Sequence, residues 1–405
     1  MSITRIDQLT AHLGLTSPPP RAQATLNIAE ALVASYLSIE FNQRGDALAE
    51  HTVSQRITPV RDRQTLEVSG GPVTGIESIT YDRTGFLHTG DEVADKDDQF
   101  SSVFNPDFSG WIVSGRNLDG SAFTFKAGTQ YHITYRTGWS AGRSAYNWQF
   151  FRNSSGSFSS ADRLGWTFET GDITANNSGG DPVFGVSGTD PDTLVYEMGV
   201  QTGDDLVSPA LSFEGFAYPF IVIRSSLERA STTGRARTLI SWKDGDGRTY
   251  WSEKKNSSRG RNYLPDRSRA HAMGSDHRGY TTQVIDMGFL AAGHMDEQLE
   301  TINRSWLDAD VTSLKLGLWE GGASTPNGAK FQIDYIKICD GTARMPEPVL
   351  TAVLETARTV SSGGGSGIQA ESIGDYSRTF APGEASQAIP STARMLLEPY
   401  RRPSW

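Results

Sequence analysis

The chain has 405 residues, which predicts two or three domains and leaves ample length for a buried core. Its 37% hydrophobic content, together with 42 glycines, lies in the range of globular proteins and excludes wholesale disorder. The net charge of −10 argues against a protein whose main task is to neutralise phosphates or an anionic membrane surface.

Cysteine content and the first residues bear on the compartment. A single cysteine, Cys339, excludes an intrachain disulfide framework and any multi-cysteine zinc site. The stretch Met1–Thr10 carries Arg5 and Asp7 and lacks the apolar core of a secretory signal. No apolar run approaches the roughly 18 residues of a membrane-spanning helix. We therefore expect a protein that is made in the cytoplasm and is not embedded in a membrane.

Two amphipathic helices and a β-meander are predicted in the N-terminal third. Ile6, Leu9 and Leu13 recur at helical steps, and the prolines at 18–20 prevent that helix from continuing. A longer apolar stripe over 21–41 predicts a second helix. The period then changes to two, and strands are expected at 51–57, 65–68, 76–81, 110–113, 123–126 and 131–135.

The middle of the chain has an all-β pattern. Residues 143–343 contain six of the nine tryptophans and many short strand-like runs between Gly, Ser, Asn and Asp clusters. This pattern predicts a β-sandwich or jelly roll. The expected strands are 164–168, 193–196, 220–224, 238–242, 249–252, 282–287, 314–318 and 331–338.

Helical patterning returns at the C-terminal end. A helix is expected from Met345 to about Thr359, followed by a Gly/Ser-rich linker over 361–367. Ser391 is the predicted N-cap of a short final helix. The fold class is therefore α+β, with helices and a meander interrupted by an all-β insert.

The two ends, taken without the middle, contain motifs in a recognisable order. They run through Gly71-Pro72-Val73, the strand end Tyr135-Arg136-Thr137-Gly138-Trp139, the loop Glu371-Ser372-Ile373-Gly374-Asp375-Tyr376-Ser377 and the tail Leu396-Leu397-Glu398-Pro399-Tyr400-Arg401-Arg402. This order resembles the head–tail connector (adaptor) proteins of long-tailed bacteriophages and gene-transfer particles. Members of that family are usually far shorter. The resemblance implies an adaptor domain in two parts, 1–142 and 344–405, with 143–343 inserted as a jelly-roll domain.

The connector resemblance carries a set of functional expectations. It implies a non-enzymatic structural protein of the virion neck, made in the bacterial host cytoplasm. Its implied partners are the portal protein, a tail-side neck or stopper protein and further copies of the chain in a dodecameric ring, with double-stranded DNA passing through the lumen. The tail motif implies a partner-binding C-terminal arm composed of Leu396, Leu397, Tyr400, Arg401, Arg402 and Trp405.

The insert has a resemblance of its own. Segments 206–213 and 331–336 are similar to pieces of galactose-binding-like carbohydrate-binding modules. That similarity implies binding of a host-surface polysaccharide, with Trp242, Tyr250 and Trp251 as stacking candidates beside the turn 244–247. Packing in the sandwich core is the competing interpretation of these rings. Such modules often hold a structural calcium ion, for which position makes Glu169 and Asp334 the candidate ligands; no other cofactor is expected.

Catalytic signals are weak. The chain has no Gly-x-Ser-x-Gly elbow, and Cys339 at a predicted strand end is interpreted as a buried structural residue. His271, His277 and His294 do not have the spacing of a helical zinc site. The run Asp244-Gly245-Asp246-Gly247 fits a hairpin turn better than a calcium loop. Two alternatives to the connector remain open: a carbohydrate-binding protein in which the sandwich is the working part, and a glycan-active enzyme.

Overall fold

A computed structural model describes residues 3–39, 47–82, 100–102, 106–116, 121–150, 164–168, 183–184, 194–197, 206–228, 235–251, 280–288, 294–295, 306–321, 330–361 and 389–401. Within these segments the helices are α1 (Ile6–His12), α2 (Ala22–Leu37), α3 (Glu347–Ser361) and α4 (Ser391–Leu397). The strands of the N-terminal third are β1 (His51–Ile57), β2 (Thr65–Glu67), β3 (Val73–Asp82), β4 (Phe100–Ser102), β5 (Pro106–Ser109), β6 (Ile112–Gly115) and β7 (Tyr131–Thr137).

The middle of the chain is built of short strands. They are β8 (Ser144–Gln149), β9 (Thr167–Phe168), β10 (Val183–Phe184), β11 (Leu194–Glu197), β12 (Leu206–Val207), β13 (Phe213–Glu214), β14 (Phe220–Glu228), β15 (Arg235–Asp244), β16 (Thr249–Trp251), β17 (Thr281–Asp286), β18 (His294–Met295), β19 (Asp310–Gly321) and β20 (Lys330–Cys339). In the described part of the chain the fold is thus mostly β-sheet with few helices. No helix there is long and apolar enough to cross a membrane.

Helices from the two ends of the chain share one apolar core. α2 buries Leu26, Leu32 and Leu37, because apolar residues recur along one side of the helix. α3 contributes Val353 and α4 contributes Leu397 to the same cluster. The N-cap of α4 is Pro390 rather than the predicted Ser391, which is the first helical residue.

The predicted meander forms two small sheets, ordered β1-β7-β3-β4 and β2-β6-β5. The strand predicted at 51–57 has the observed bounds and pairs antiparallel with β7. Tyr131, Ile133 and Tyr135 alternate to one face and are buried together with residues of the smaller sheet. The strand predicted at 123–126 is wrong: Phe125 makes only an isolated bridge, and its ring packs edge-on against Tyr131 at 5.0 Å between centroids.

The middle of the chain forms a β-sandwich. One sheet has the order β10-β11-β20-β14-β17 with β8 beside β20, and the other has the order β18-β16-β15-β19-β12-β9 with β13 beside β19. Alternate residues of the long central strands point inward and form one apolar cluster between the sheets. This cluster includes Ile221, Ile223, Ile336 and Ile338 from the first sheet and Ile240, Trp242, Leu314 and Leu316 from the second. The sequence-based expectation of a β-sandwich is confirmed.

The chain enters and leaves the sandwich at the same place. Ser140 and Arg344 form a parallel bridge, and β8, which opens the sandwich, pairs with β20, which closes it. Asp340 accepts hydrogen bonds from the backbone N–H of Arg143 at 2.9 Å and from its guanidinium Nε at 3.1 Å. The segments that enter and leave the sandwich thus lie side by side, as they do where one domain is inserted into a loop of another.

Candidate functional site

The seven-stranded sheet, which contains β15 and β19, has one face in the sandwich core. On that face Trp242 and Tyr250 are register partners, and their rings stack at 5.6 Å between centroids. Trp242 is 2% exposed and Tyr250 is 0% exposed. Both rings therefore belong to the core, which corrects the expectation that they form an exposed stacking platform.

The turn beside these residues is a hairpin, as predicted. The carboxylate of Asp244 accepts hydrogen bonds from the backbone N–H of Asp246 at 3.0 Å and of Arg248 at 2.9 Å. Its other oxygen accepts the Tyr250 hydroxyl at 2.9 Å. Asp244 is 2% exposed and holds the β15–β16 turn, so its carboxylate is not placed to contact a ligand.

The opposite, outward face of this sheet carries the third stacking candidate. Trp251 is the register partner of Ser241, and Ser241 is also paired with Lys315 on the next strand. Because successive residues of a strand alternate between faces, Trp251 lies at a position on the face opposite Tyr250. His294 on β18 continues the row on one side and Val207 on β12 continues it on the other.

Neighbouring rows add further polar and aromatic positions to the outward face. The pair Arg237–Trp319 lies two rows from Ser241, and Lys243–Ser313 lies one row away in the other direction. Glycines 317 and 321 also take outward positions on β19. The outward face thus combines two tryptophan positions with cations and hydroxyls. Arg237, Ser241 and Lys315 were not singled out from the sequence. Alternation along β15 puts Arg237 and Ser241 on one face, whereas the place of Lys315 beside Ser241 depends on the strand pairing.

Two polar residues at the centre of this face are shielded from solvent. Ser241 is 1% exposed and Lys315 is 7% exposed. The Ser241 hydroxyl has no hydrogen-bond partner. A buried, unsatisfied hydroxyl costs about 1–3 kcal/mol. At 1% exposure the Ser241 side chain, like that of Asp244, is not placed to contact a ligand.

Of the two predicted calcium ligands, the structure describes Asp334 only. Asp334 forms an ion pair with Arg224, whose guanidinium also lies 4.7 Å from the centre of the Tyr280 ring. Its carboxylate charge is therefore already balanced by the protein. Glu169 lies outside the described residues. In the segments that the structure describes, no group of three or more acidic, His or Cys side chains is arranged to hold a metal ion, and the calcium site stays a prediction.

The C-terminal arm packs on its own chain as far as residue 401. Leu397 is fully buried in the helical core, and Leu396 packs against that core. The Tyr400 ring lies edge-on to Trp139 at 6.3 Å, and the Arg401 guanidinium lies 5.0 Å from the centre of the Tyr36 ring. Residues 396–401 of the arm therefore contribute to the fold of their own chain, and the partner-binding role of the arm stays a prediction. Arg402 and Trp405 lie outside the described residues.

The remaining residues that the sequence analysis considered for catalysis or metal binding are a cysteine and two histidines. Cys339 is fully buried at the end of β20, and this burial raises the pKa of its thiol. The buried position agrees with the structural role predicted for it. His271 and His277 lie outside the described residues.

Comparisons with known proteins give similarities in structure alone. No known protein family matches the chain, and no curated protein does. The CBM22-1 xylan-binding domain from Paenibacillus barcinonensis Xyn10C aligns at 12% identity and a TM-score of 0.22, over 50% of this chain and 97% of that domain. The family 11 carbohydrate-binding module of the cellulosomal cellulase Lic26A-Cel5E of Clostridium thermocellum aligns at 13% identity and a TM-score of 0.21, over 40% of this chain and 81% of that module. At TM-scores this low, the similarities carry no argument about a ligand.

Proposed function

We propose that the β-sandwich is a non-catalytic glycan-binding module and that its ligand lies on the outward face of the seven-stranded sheet. The observation that carries the proposal is the strand register. It assigns Trp251 and Trp319 to the outward face, whereas Trp242 and Tyr250 are buried in the core.

A sugar ring presents an apolar face and a rim of hydroxyls. A protein site for it therefore combines an aromatic surface with a few placed polar groups. The outward face supplies both kinds of position: Trp251 lies in the row next to the half-buried pair Lys243 and Ser313. From strand spacing and rise, the Trp251 and Trp319 positions are roughly 17 Å apart, which suits an oligosaccharide better than a single sugar.

A tryptophan substitution tests the proposal. Trp251→Ala in the full chain should weaken binding to whichever glycan of the panel the wild-type chain binds. The expected loss is about tenfold, which corresponds to roughly 1.4 kcal/mol of binding free energy. Tyr335→Ala is the matched control, because Tyr335 lies on the outer face of the other sheet, in register with Arg224. A broad glycan panel measured by affinity electrophoresis gives the readout. Equal binding by both variants, or no binding of the wild-type chain to any glycan, would overturn the proposal.

The second candidate function is the head–tail connector, and it concerns the ends of the chain. The supporting observation is that the helices α1 and α2, which precede the sandwich in sequence, share one core with α3 and α4, which follow it. Such a unit would form a ring in the neck of a phage-like particle, between the portal and the tail proteins. The sandwich would then project from the periphery, where many copies bind a surface polysaccharide with avidity. Electron microscopy of purified particles tests it: a neck that lacks this chain would overturn the assignment.

A further inference from the structure

Strand β1 forms one edge of the four-stranded sheet β1-β7-β3-β4. On its inner side it pairs with β7 over its full length and without a bulge. On its outer side the backbone N–H of Thr52 donates to the carboxylate of Asp286 at 2.8 Å. Because alternate residues of a strand direct their backbone groups to the same side, the N–H and C=O groups of Ser54 and Arg56 also point away from β7.

The open part of this edge is short and accessible. Ser54 and Arg56 are both exposed, and apart from the β1–β7 ladder no described residue forms a backbone hydrogen bond with either. Asp286 closes the edge at Thr52, and Pro59, which has no N–H, lies just beyond the other end of the strand. Within β1 there is no Pro, Lys or bulge of the kind that protects strand edges from pairing.

The open backbone groups are complementary to those of a second copy of the same strand. When two copies of β1 run antiparallel about Gln55, Ser54 of each copy lies opposite the partner's Arg56. Each such pair exchanges two hydrogen bonds, so two pairs form four. A shift by two residues in one direction would place Arg56 opposite the partner's Thr52, whose N–H is taken by Asp286. The opposite shift would bring the two Arg56 side chains face to face, and like charges in that position are destabilising.

The side chains on the inner face of β1 fit the same register. Val53 lies opposite the partner's Ile57, and both side chains are only partly buried against the apolar cluster of the meander. Pairing would therefore cover apolar surface that one copy leaves accessible. The paired segment is short, and interfaces below about 1,200 Å² are typical of weak association.

We propose that β1 is a self-association site, at which two copies of the chain join their edge strands into one antiparallel sheet around a two-fold axis at Gln55. This role does not depend on glycan binding by the sandwich. A dimer would carry two sandwiches, however, and so would raise the avidity for any polymer that they bind.

A cysteine placed at the two-fold axis tests the register. The two Gln55 residues would form a directly opposed, non-hydrogen-bonded pair with Cα atoms about 4.5 Å apart, a distance that permits a disulfide. Gln55→Cys should therefore give a covalent dimer of the full chain under mild oxidation, seen on a non-reducing gel. Ser54→Cys is the matched control, because the two Ser54 positions would be about 8 Å apart, beyond disulfide reach. The native Cys339 is fully buried and should not react.

A second variant tests the hydrogen bonds, since Gln55 also accepts the N–H of Ser69 at 2.9 Å and its replacement disturbs that contact. Ser54→Pro removes a donor that β7 does not use, so the single chain should keep its circular dichroism and its unfolding midpoint. Two of the four bonds are lost, and the dimer should weaken about tenfold in sedimentation equilibrium. Ser54→Ala keeps the N–H and should associate like the wild-type chain.

Each result decides the proposal. Preferential crosslinking of Ser54→Cys over Gln55→Cys would overturn the register. Unfolding of Ser54→Pro would show that this N–H is already used within one chain, and would overturn the open edge. A wild-type chain that stays monomeric up to millimolar concentration, or a dimer or ring that Ser54→Pro leaves intact, would overturn β1 as the site of association.

Discussion

The carboxylate of Glu50 accepts a hydrogen bond of 2.5 Å from the backbone N–H of Thr342, which lies 292 residues further along the chain. The same carboxylate accepts the N–H of Ala343 at 2.8 Å and an Arg136 guanidinium N–H at 2.7 Å. Glu50 is fully buried, so these bonds form away from water, where they are strong. They hold the segment that leaves the sandwich against the start of β1.

Removal of the Glu50 charge should therefore destabilise the junction. Glu50→Gln removes one of the two carboxylate charges that pair with Arg136, the other being Glu77 at 2.6 Å from the Arg136 Nε. Loss of hydrogen bonds to a charged group costs about 1.5–3 kcal/mol. Urea unfolding followed by circular dichroism gives the measurement. Asp62→Asn is the control, since Asp62 pairs with Lys126 at 2.9 Å on the surface and its loss should barely move the midpoint. Equal midpoints for both variants would show that the Glu50 contacts do not stabilise the fold.

Gly138 lies in the same junction and should not tolerate a side chain. Its φ of +81° is left-handed, and an added Cβ would come within 2.6 Å of the carbonyl oxygen of Ala49. Gly128 has a similar φ of +76° but open space around its Cα. Gly128→Ala should cost only the backbone strain of about 1–2 kcal/mol, whereas Gly138→Ala should cost clearly more. Thermal melts of the two variants provide the comparison, and equal losses would contradict the contact.

Leu397 should prove to be a fold residue. Leu397 is fully buried among its neighbours in the helical core, so Leu397→Ala should destabilise the chain by about 2–5 kcal/mol. Met395 on the same helix is 77% exposed, and Met395→Ala should have almost no effect. Chemical unfolding of the two variants decides the point. If Leu397→Ala unfolds with the wild-type midpoint, the arm does not belong to the core of its own chain.

Cys339 should make stability depend on alkaline pH. Burial raises the pKa of its thiol in the folded chain, so the unfolded chain ionises first as pH rises. The stabilisation that comes from the neutral, buried thiol is complete below the pKa of the unfolded chain, about 8.5. It is lost as pH rises from there through the higher pKa of the folded chain. Urea midpoints from pH 7 to pH 10 measure this slope. Cys339→Ala should reduce it, and an unchanged slope would contradict the assignment. Iodoacetamide should label Cys339 only after unfolding.

Excision of the sandwich should leave the helical unit folded. The helical core draws its residues from both ends of the chain and includes Trp139, which precedes the crossing into β8. A Gly/Ser join from Arg143 to Asp340 keeps the segment that Glu50 binds, whereas removal of 143–343 deletes it. Both products should retain helical circular dichroism, and the first should be more stable. Aggregation of both would contradict an independent insert.

Much of the local structure was predictable from residue patterns. Strict alternation over 51–57 predicted β1 with its observed bounds, and apolar residues at helical steps predicted α1 and α2. The glycines and aspartates of 244–247 predicted the hairpin because they supply the backbone freedom and side-chain bonds of a turn. These features depend on contacts between residues close in sequence, which composition and spacing encode directly.

The tertiary structure decided which residues are buried in a core and which lie on the surface. Alternation assigns Trp242 and Trp251 to opposite faces of one sheet, but a strand pattern does not say which face is covered. That was decided by the second sheet, whose Ile221 and Ile336 pack on the Trp242 side. The same holds for Leu397, whose partners on α2 and α3 are brought together only by the folded chain. Burial is a property of contacts between distant segments, so the sequence alone determined the elements and their faces, and the packing of those elements determined the role of each face.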